Sequence, residues 1–339
     1  MRAVAVLLVV WMHFAEGLMP VSGSQLWLGQ GAEVLNFGRI GVVVFFAISG
    51  MLIPYSLRPA PRAVRQFAVR RFFRLFPAFW ISVIVYWLII PGDRSVEQLL
   101  ANLTMLPWIF DEAPLLGLYW TLETELYFYV LCAIIFWSGR LHDERVMCGL
   151  TVFLAAAFII SSLARIYPDA LPGPYKGLLL HLAIMFWGAS FRHAWASGRY
   201  RSAPFLIASA AIACAAGAVL CYGALTSDPK QIANGAAYLI ALSLFVAMAT
   251  VARITFRPLV FLGRISYSIY LLHGATLTGF LGAIAMAGET GRGLGVYMIV
   301  CAALAIAVSF LSYRLVEQPG IALGSRSARR SPLPVSATS

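Results

Sequence analysis

The chain has 339 residues, of which 61% are hydrophobic and only 12% charged, with a mean hydropathy of +0.83. Soluble domains carry about a quarter charged residues, so a water-soluble globular protein is excluded. The net charge of +11 follows from a one-sided placement of arginine, described below, and gives no argument for a nucleic-acid partner.

The apolar residues fall in long blocks, the pattern of an all-α polytopic integral membrane protein. Ten transmembrane helices are expected, near residues 3–19, 38–56, 75–90, 114–137, 147–164, 177–192, 203–223, 235–252, 265–287 and 293–313. With the N-terminus inside, 19 of the 25 basic residues fall on the cytoplasmic side, and nine of the fourteen acids on the other. Both termini are therefore expected in the cytoplasm. Residues 1–320 form the membrane domain, and the Ser/Pro/Arg-rich stretch 321–339 reads as a disordered cytoplasmic tail.

The first block, MRAVAVLLVVWMHF, holds Arg2 and His13 in otherwise uncharged sequence. Eleven residues at 100° and 1.5 Å each put the two on one helix face about 16.5 Å apart. Arg2 would then lie at the cytoplasmic surface and His13 near the middle of a core about 30 Å thick. An ionisable group at that depth is costly and marks function. The same block has the look of a secretory signal, but cleavage near Ala15 would discard His13 and leave an odd number of spans. The second block, GRIGVVVFFAISGMLI, carries Ser49 and Gly50, residue types common where membrane helices pack closely.

Between the second and third blocks lie six arginines and no lysine, from Arg58 to Arg74. They serve topology and attraction to anionic lipid. Arg70, Arg71 and Arg74 also suit bidentate recognition of phosphate, which points to a cytosolic phosphorylated donor. The fourth block, GLYWTLETELYFYV, contains Glu123 and Glu125. Running inward from about residue 115, the helix would carry Glu125 about 15 Å deep, where it is expected to meet His13. Glu123 lies about 200° around the helix from Glu125. A structural carboxylate, protonated or paired with arginine, is the other reading of Glu125. The block GRISYSIYLLH ends in His273, read first as a structural, hydrogen-bonded histidine. The five cysteines (132, 148, 214, 221 and 301) lie in apolar blocks with no metal-type spacing, and no metal site is expected.

Taken together, these segments resemble the acyltransferase-3 family of membrane O-acyltransferases. The matching residues run in order: Arg2-x10-His13; Phe45-Phe46 with Ser49-Gly50; Arg70, Arg71 and Arg74 ahead of Pro77 and Trp80. They continue with Trp120-Thr121-Leu122, Glu125, Phe128 and Tyr129, then Gly263 to Ser268 leading to His273, and Glu317-x-Pro319. Relatives usually carry several residues ahead of the arginine, whereas Arg2 follows Met1 directly. The resemblance implies transfer of an acyl group, usually acetyl, from acyl-CoA to a hydroxyl of a cell-envelope carbohydrate or lipid-linked glycan. It implies a multi-pass protein of the bacterial plasma membrane, with acyl-CoA as donor substrate and no tightly bound cofactor.

On that reading His13 is the general base and Glu125 its catalytic partner, with Arg2, Arg70, Arg71 and Arg74 binding the donor. Ser49, Glu123, Trp120, Tyr129 and His273 are candidate supporting residues. An acyl-enzyme on His13 or Ser49 stays open. A proton-coupled secondary transporter also suits midplane Glu and His, although the two halves show no internal repeat; a scaffold in an envelope-synthesis complex is a third reading.

Overall fold

The computed structural model describes residues 1–23, 34–90, 95–163, 177–252, 254–288 and 290–329. Among these, every regular element is helical. In chain order they are α1 (Arg2–Leu18), α2 (Phe37–Leu52), α3 (Ala63–Ile89), α4 (Val96–Leu103), α5 (Trp120–Trp137), α6 (Glu144–Leu163) and α7 (Leu178–Ala196). There follow α8 (Ala203–Thr226), α9 (Pro229–Thr250), α10 (Arg257–Arg264), α11 (Ser266–Ala287), α12 (Leu294–Ser312) and α13 (Gln318–Arg329). Nine segments among the described residues are long and apolar enough to cross a membrane. The tenth expected block is α7, whose His181, Arg192 and His193 make it less apolar. It is buried without interruption from Leu180 to Phe191, as befits a helix with neighbours all round.

The core sits where α2 crosses α1, α7 and α9, with α10 and α11 against α1 and α3 against α11. Glycines make these crossings close. A Cβ on Gly50 would lie 1.8 Å from the Met185 carbonyl oxygen, and one on Gly188 would lie 2.3 Å from that of Ala47. The backbones of α2 and α7 therefore touch directly, as small residues allow between membrane helices. Overpacking a core costs about 1–3 kcal/mol even where side chains can yield, and here the obstacle is backbone. Gly50→Val is accordingly expected to abolish recovery of monodisperse protein from detergent, read by size-exclusion chromatography. Recovery equal to wild type would contradict this packing.

Two elements differ from the sequence expectation. The third span begins at Ala63 rather than near residue 75, so much of the arginine-rich connection is the first part of α3. Arginine is a good helix former, and the break falls before it, at Pro61 and at Arg62 with φ 57°. Within this helix Pro77 lacks the N–H that would bond the Phe73 carbonyl. Gly320 packs against that oxygen, where a Cβ would come within 2.6 Å. The second difference is at the C-terminal end. The expected tail is helical to Arg329, continuing α12 through a π-helical turn, Tyr313–Glu317, into α13, which lies along α3. Residues 330–339 fall outside the described residues.

Candidate active site

Helices α1, α2, α3, α5 and α11 surround a cavity of about 80 Å³. Arg2, Arg71, Arg74 and Glu125 give it charge, and Ser49, Thr121, Ser266, Tyr267 and Tyr270 give it hydroxyls. Phe45, Phe46, Val42, Leu75 and Leu122 make up its apolar wall. Arg71 and Arg74 reach it because they share a stripe of α3 with the buried Phe67, Leu75 and Ala78. Arg71 donates to the Ser56 hydroxyl at 2.8 Å and lies over the rings of Phe67 and Tyr129, 5.3 and 5.2 Å from their centroids.

Arg70, grouped with them from sequence, turns elsewhere. One residue is 100° of rotation, and Arg70 is exposed, donating to the Gln66 backbone carbonyl at 3.1 Å and side-chain oxygen at 3.2 Å. Arg2 lies within electrostatic reach of Arg71, Arg74 and Glu125. A second carboxylate also faces this group. Glu317, buried in the π-helical turn, accepts a 2.7 Å bond from Ser268 and senses Arg2 and Arg74. Three guanidinium groups against two carboxylates leave the cavity with surplus positive charge.

Glu125 and His13 do not meet. Glu125 accepts from the Tyr129 hydroxyl at 2.6 Å, among the arginines. Helical rise fixes depth, but packing decides which way a side chain turns, and α5 turns Glu125 toward Arg2. Glu123, on another face, is buried and accepts from Tyr127 at 2.7 Å. Trp120 begins α5 one residue before the cavity-lining Thr121, whose hydroxyl shares a 2.7 Å bond with Tyr270.

His13 pairs instead with His273, from its Nδ1 to the His273 Nε2 at 3.0 Å. His273 is fully buried, and its Nδ1 faces two carbonyl oxygens, of Tyr270 at 2.8 Å and Ile269 at 3.1 Å. Carbonyls only accept, so the proton sits on Nδ1 and a neutral His273 presents a lone pair at Nε2. His13 must then donate from Nδ1. A neutral His13 ring has a single N–H, and the bond to His273 takes it. His13 Nε2 is thereby left as a free lone pair. The Tyr270 ring lines the cavity and lies 6.0 Å from that of His273, so the pair stands directly beyond the cavity.

Of the other histidines, His142 contacts the Leu57 carbonyl at 2.9 Å, His193 approaches Glu144 at 3.8 Å, and His181 contacts Tyr238 at 2.8 Å. The sequence named His273 as a supporting residue and Glu317 within a motif, but assigned neither its partner. His273 lies about as far into its span as His13 does, which a comparison of depths would have shown. Glu317 is a lone carboxylate ahead of a proline after the last apolar block.

A family model described as an acyltransferase domain, acyltransferase-3, matches residues 1–314. The exopolysaccharide production protein ExoZ of Rhizobium meliloti is 27% identical, covering 84% of this chain and 90% of its own length. A protein of Komagataeibacter xylinus named as a membrane-bound transacylase, BcsY, is 28% identical over 85% of this chain and 77% of its own. Proteins of Staphylococcus aureus named as O-acetyltransferases are 25% identical over 94% of this chain, which spans 56% of their length. No solved structure matches significantly. With a family model covering nearly the whole chain and nine membrane-length apolar helices among the described residues, the chain belongs to the acyltransferase-3 family and is a multi-pass membrane O-acyltransferase of bacterial type.

Proposed function

We propose that the protein transfers an acyl group, acetyl foremost, from cytosolic acyl-CoA to a hydroxyl of a cell-envelope or exported carbohydrate. The observation that carries this reading is the adjacency of a positively charged cavity and a histidine with an unoccupied lone pair. In the orientation the arginine distribution favours, both termini and the arginine-rich end of the bundle are cytoplasmic. The CoA phosphates bind Arg71, Arg74 and Arg2, since guanidinium groups match phosphate oxygens in paired, charge-assisted bonds. The thin pantetheine arm passes the Phe45 and Tyr270 walls and carries the thioester toward His13.

His13 Nε2 takes the proton of the acceptor hydroxyl as its oxygen attacks the thioester carbonyl. Collapse of the tetrahedral adduct breaks the C–S bond, and the imidazolium returns its proton to the departing thiolate. His273 keeps the ring of His13 in the required tautomer, as a carboxylate does for the histidine of a hydrolase triad. Glu125 balances the donor-site arginines and holds Tyr129.

Purified protein in nanodiscs, given labelled acetyl-CoA, should release thiol only when an acceptor glycan is present. Mass spectrometry of envelope polysaccharide from a deletion strain and its complement should show one acyl mass lost and regained. Failure to bind acetyl-CoA, with folded protein, would sink the proposal.

A further inference from the structure

At the other end of the cavity, away from the donor arginines, four side chains form a group that the transfer chemistry leaves unused. The Arg39 guanidinium lies over two rings, 5.8 Å from the centroid of Trp120 and 6.0 Å from that of Tyr238. The Tyr238 hydroxyl is 2.8 Å from His181 Nε2. His181 is buried against Trp120 and Phe46, and its Nδ1 has no partner.

The group is recessed. The Gly38 N–H donates to the Met12 sulfur at 3.1 Å, which sets the start of α2 level with the residue before His13. Helix α1 continues six residues further, to Leu18, or about 9 Å by helical rise. Arg39 therefore stands at the depth of His13, below the end of the bundle. Among the described residues no carboxylate pairs with it. A cation held at depth with no counter-charge among the described residues is costly, and a ligand that brings an anion offsets that cost.

The group also adjoins the cavity. Phe46 touches His181 and lines the cavity, and Trp120 precedes the cavity-lining Thr121. A planar guanidinium forks a carboxylate, and flanking aromatic rings supply flat apolar faces for a sugar ring, the mix of apolar wall and few polar groups typical of small-ligand sites. We infer that Arg39, Trp120, Tyr238 and His181 form an acceptor subsite that selects a carboxylate-bearing sugar, so that the acceptor is an acidic carbohydrate. This rests on the acyl-transfer reading for the choice of ligand, but its test does not.

The test is calorimetric titration of the full chain in nanodiscs with two probes, a glucuronate-containing tetrasaccharide and its carboxyl-reduced counterpart. The acidic probe should bind about tenfold tighter or more, the range for bonds to a charged group. Arg39→Gln should bring the ratio of the two affinities to about one, and Arg39→Lys, which keeps charge but loses the fork, should fall between. Equal binding of both probes by wild type overturns the subsite, as does a ratio unchanged in Arg39→Gln. Arg39-dependent binding of farnesyl diphosphate in place of the sugar also overturns it, in favour of a lipid-carrier phosphate. Acetyl-CoA titrated into the same samples reports the donor site separately, so its failure would count against acyl transfer and leave the carbohydrate result standing.

Discussion

His13→Ala should lower the turnover of acyl transfer by about 10²–10⁴-fold, the usual contribution of a positioned general base. Acetyl-CoA affinity should change little, because Arg2, which shares the charged cavity with Arg71 and Arg74, lies eleven residues along the helix from His13. The size of the effect follows from the hydrogen-bond directions. Only the Nε2 of a neutral His13 is free to accept a proton, because its Nδ1 is tied to His273. The partner separates this account from one in which His13 is merely structural. His273→Leu removes the acceptor for the His13 N–H and should cost about 10–100-fold in turnover, within the span seen for supporting hydrogen bonds. His273→Gln can still offer an oxygen and should recover part of that loss. If leucine and glutamine behave alike, the pairing does not govern the base. Glu125→Gln should change the KM for acetyl-CoA more than it changes turnover, since Glu125 stands among the arginines and not beside His13.

Arg71→Ala and Arg74→Ala carry the second largest expectation. A hydrogen bond to a charged group contributes about 1.5–3 kcal/mol, so each variant should weaken acetyl-CoA binding by about 10–100-fold. The dependence on salt should flatten in step, because fewer phosphate contacts remain to be screened. Arg70→Ala is the internal comparison. It removes the same charge from the same helix, one residue away, but the side chain is exposed and occupied by Gln66. Its effect should stay within about threefold, the scale of surface electrostatics. Equal losses for Arg70 and Arg71 would mean that the arginines act as a diffuse basic patch on the membrane surface. Titration calorimetry with acetyl-CoA at two ionic strengths decides between these outcomes.

The apolar blocks made the bundle readable, because a bilayer demands about twenty apolar residues per crossing. Hydropathy could not show that α3 extends back to Ala63, since residues 63–74 carry four arginines, nor that residues 318–329 are helical. The latter contain Gly320 and Gly324 and are placed by packing on Phe73. The same limit applies at the site. Spacing placed Arg2 and His13 on one face and brought Glu125 to mid-depth. Which partner each would find depends on the rotation of neighbouring helices, which one chain's periodicity does not encode. Arg71 was distinguishable from Arg70 only once the buried stripe of α3 was known.

The His13–His273 bond joins two neutral rings, where hydrolase triads set a histidine against a carboxylate. A membrane potential does about 2.3 kcal/mol of work on each elementary charge per 100 mV crossed, and the resting pair offers it no charge to act on. In the proposed transfer an acyl group bound outward and a proton bound for the thiolate would move in opposite senses, so the electrical work would nearly cancel. On the proposed mechanism, acyl transfer in proteoliposomes is expected to run at the same rate with and without a membrane potential.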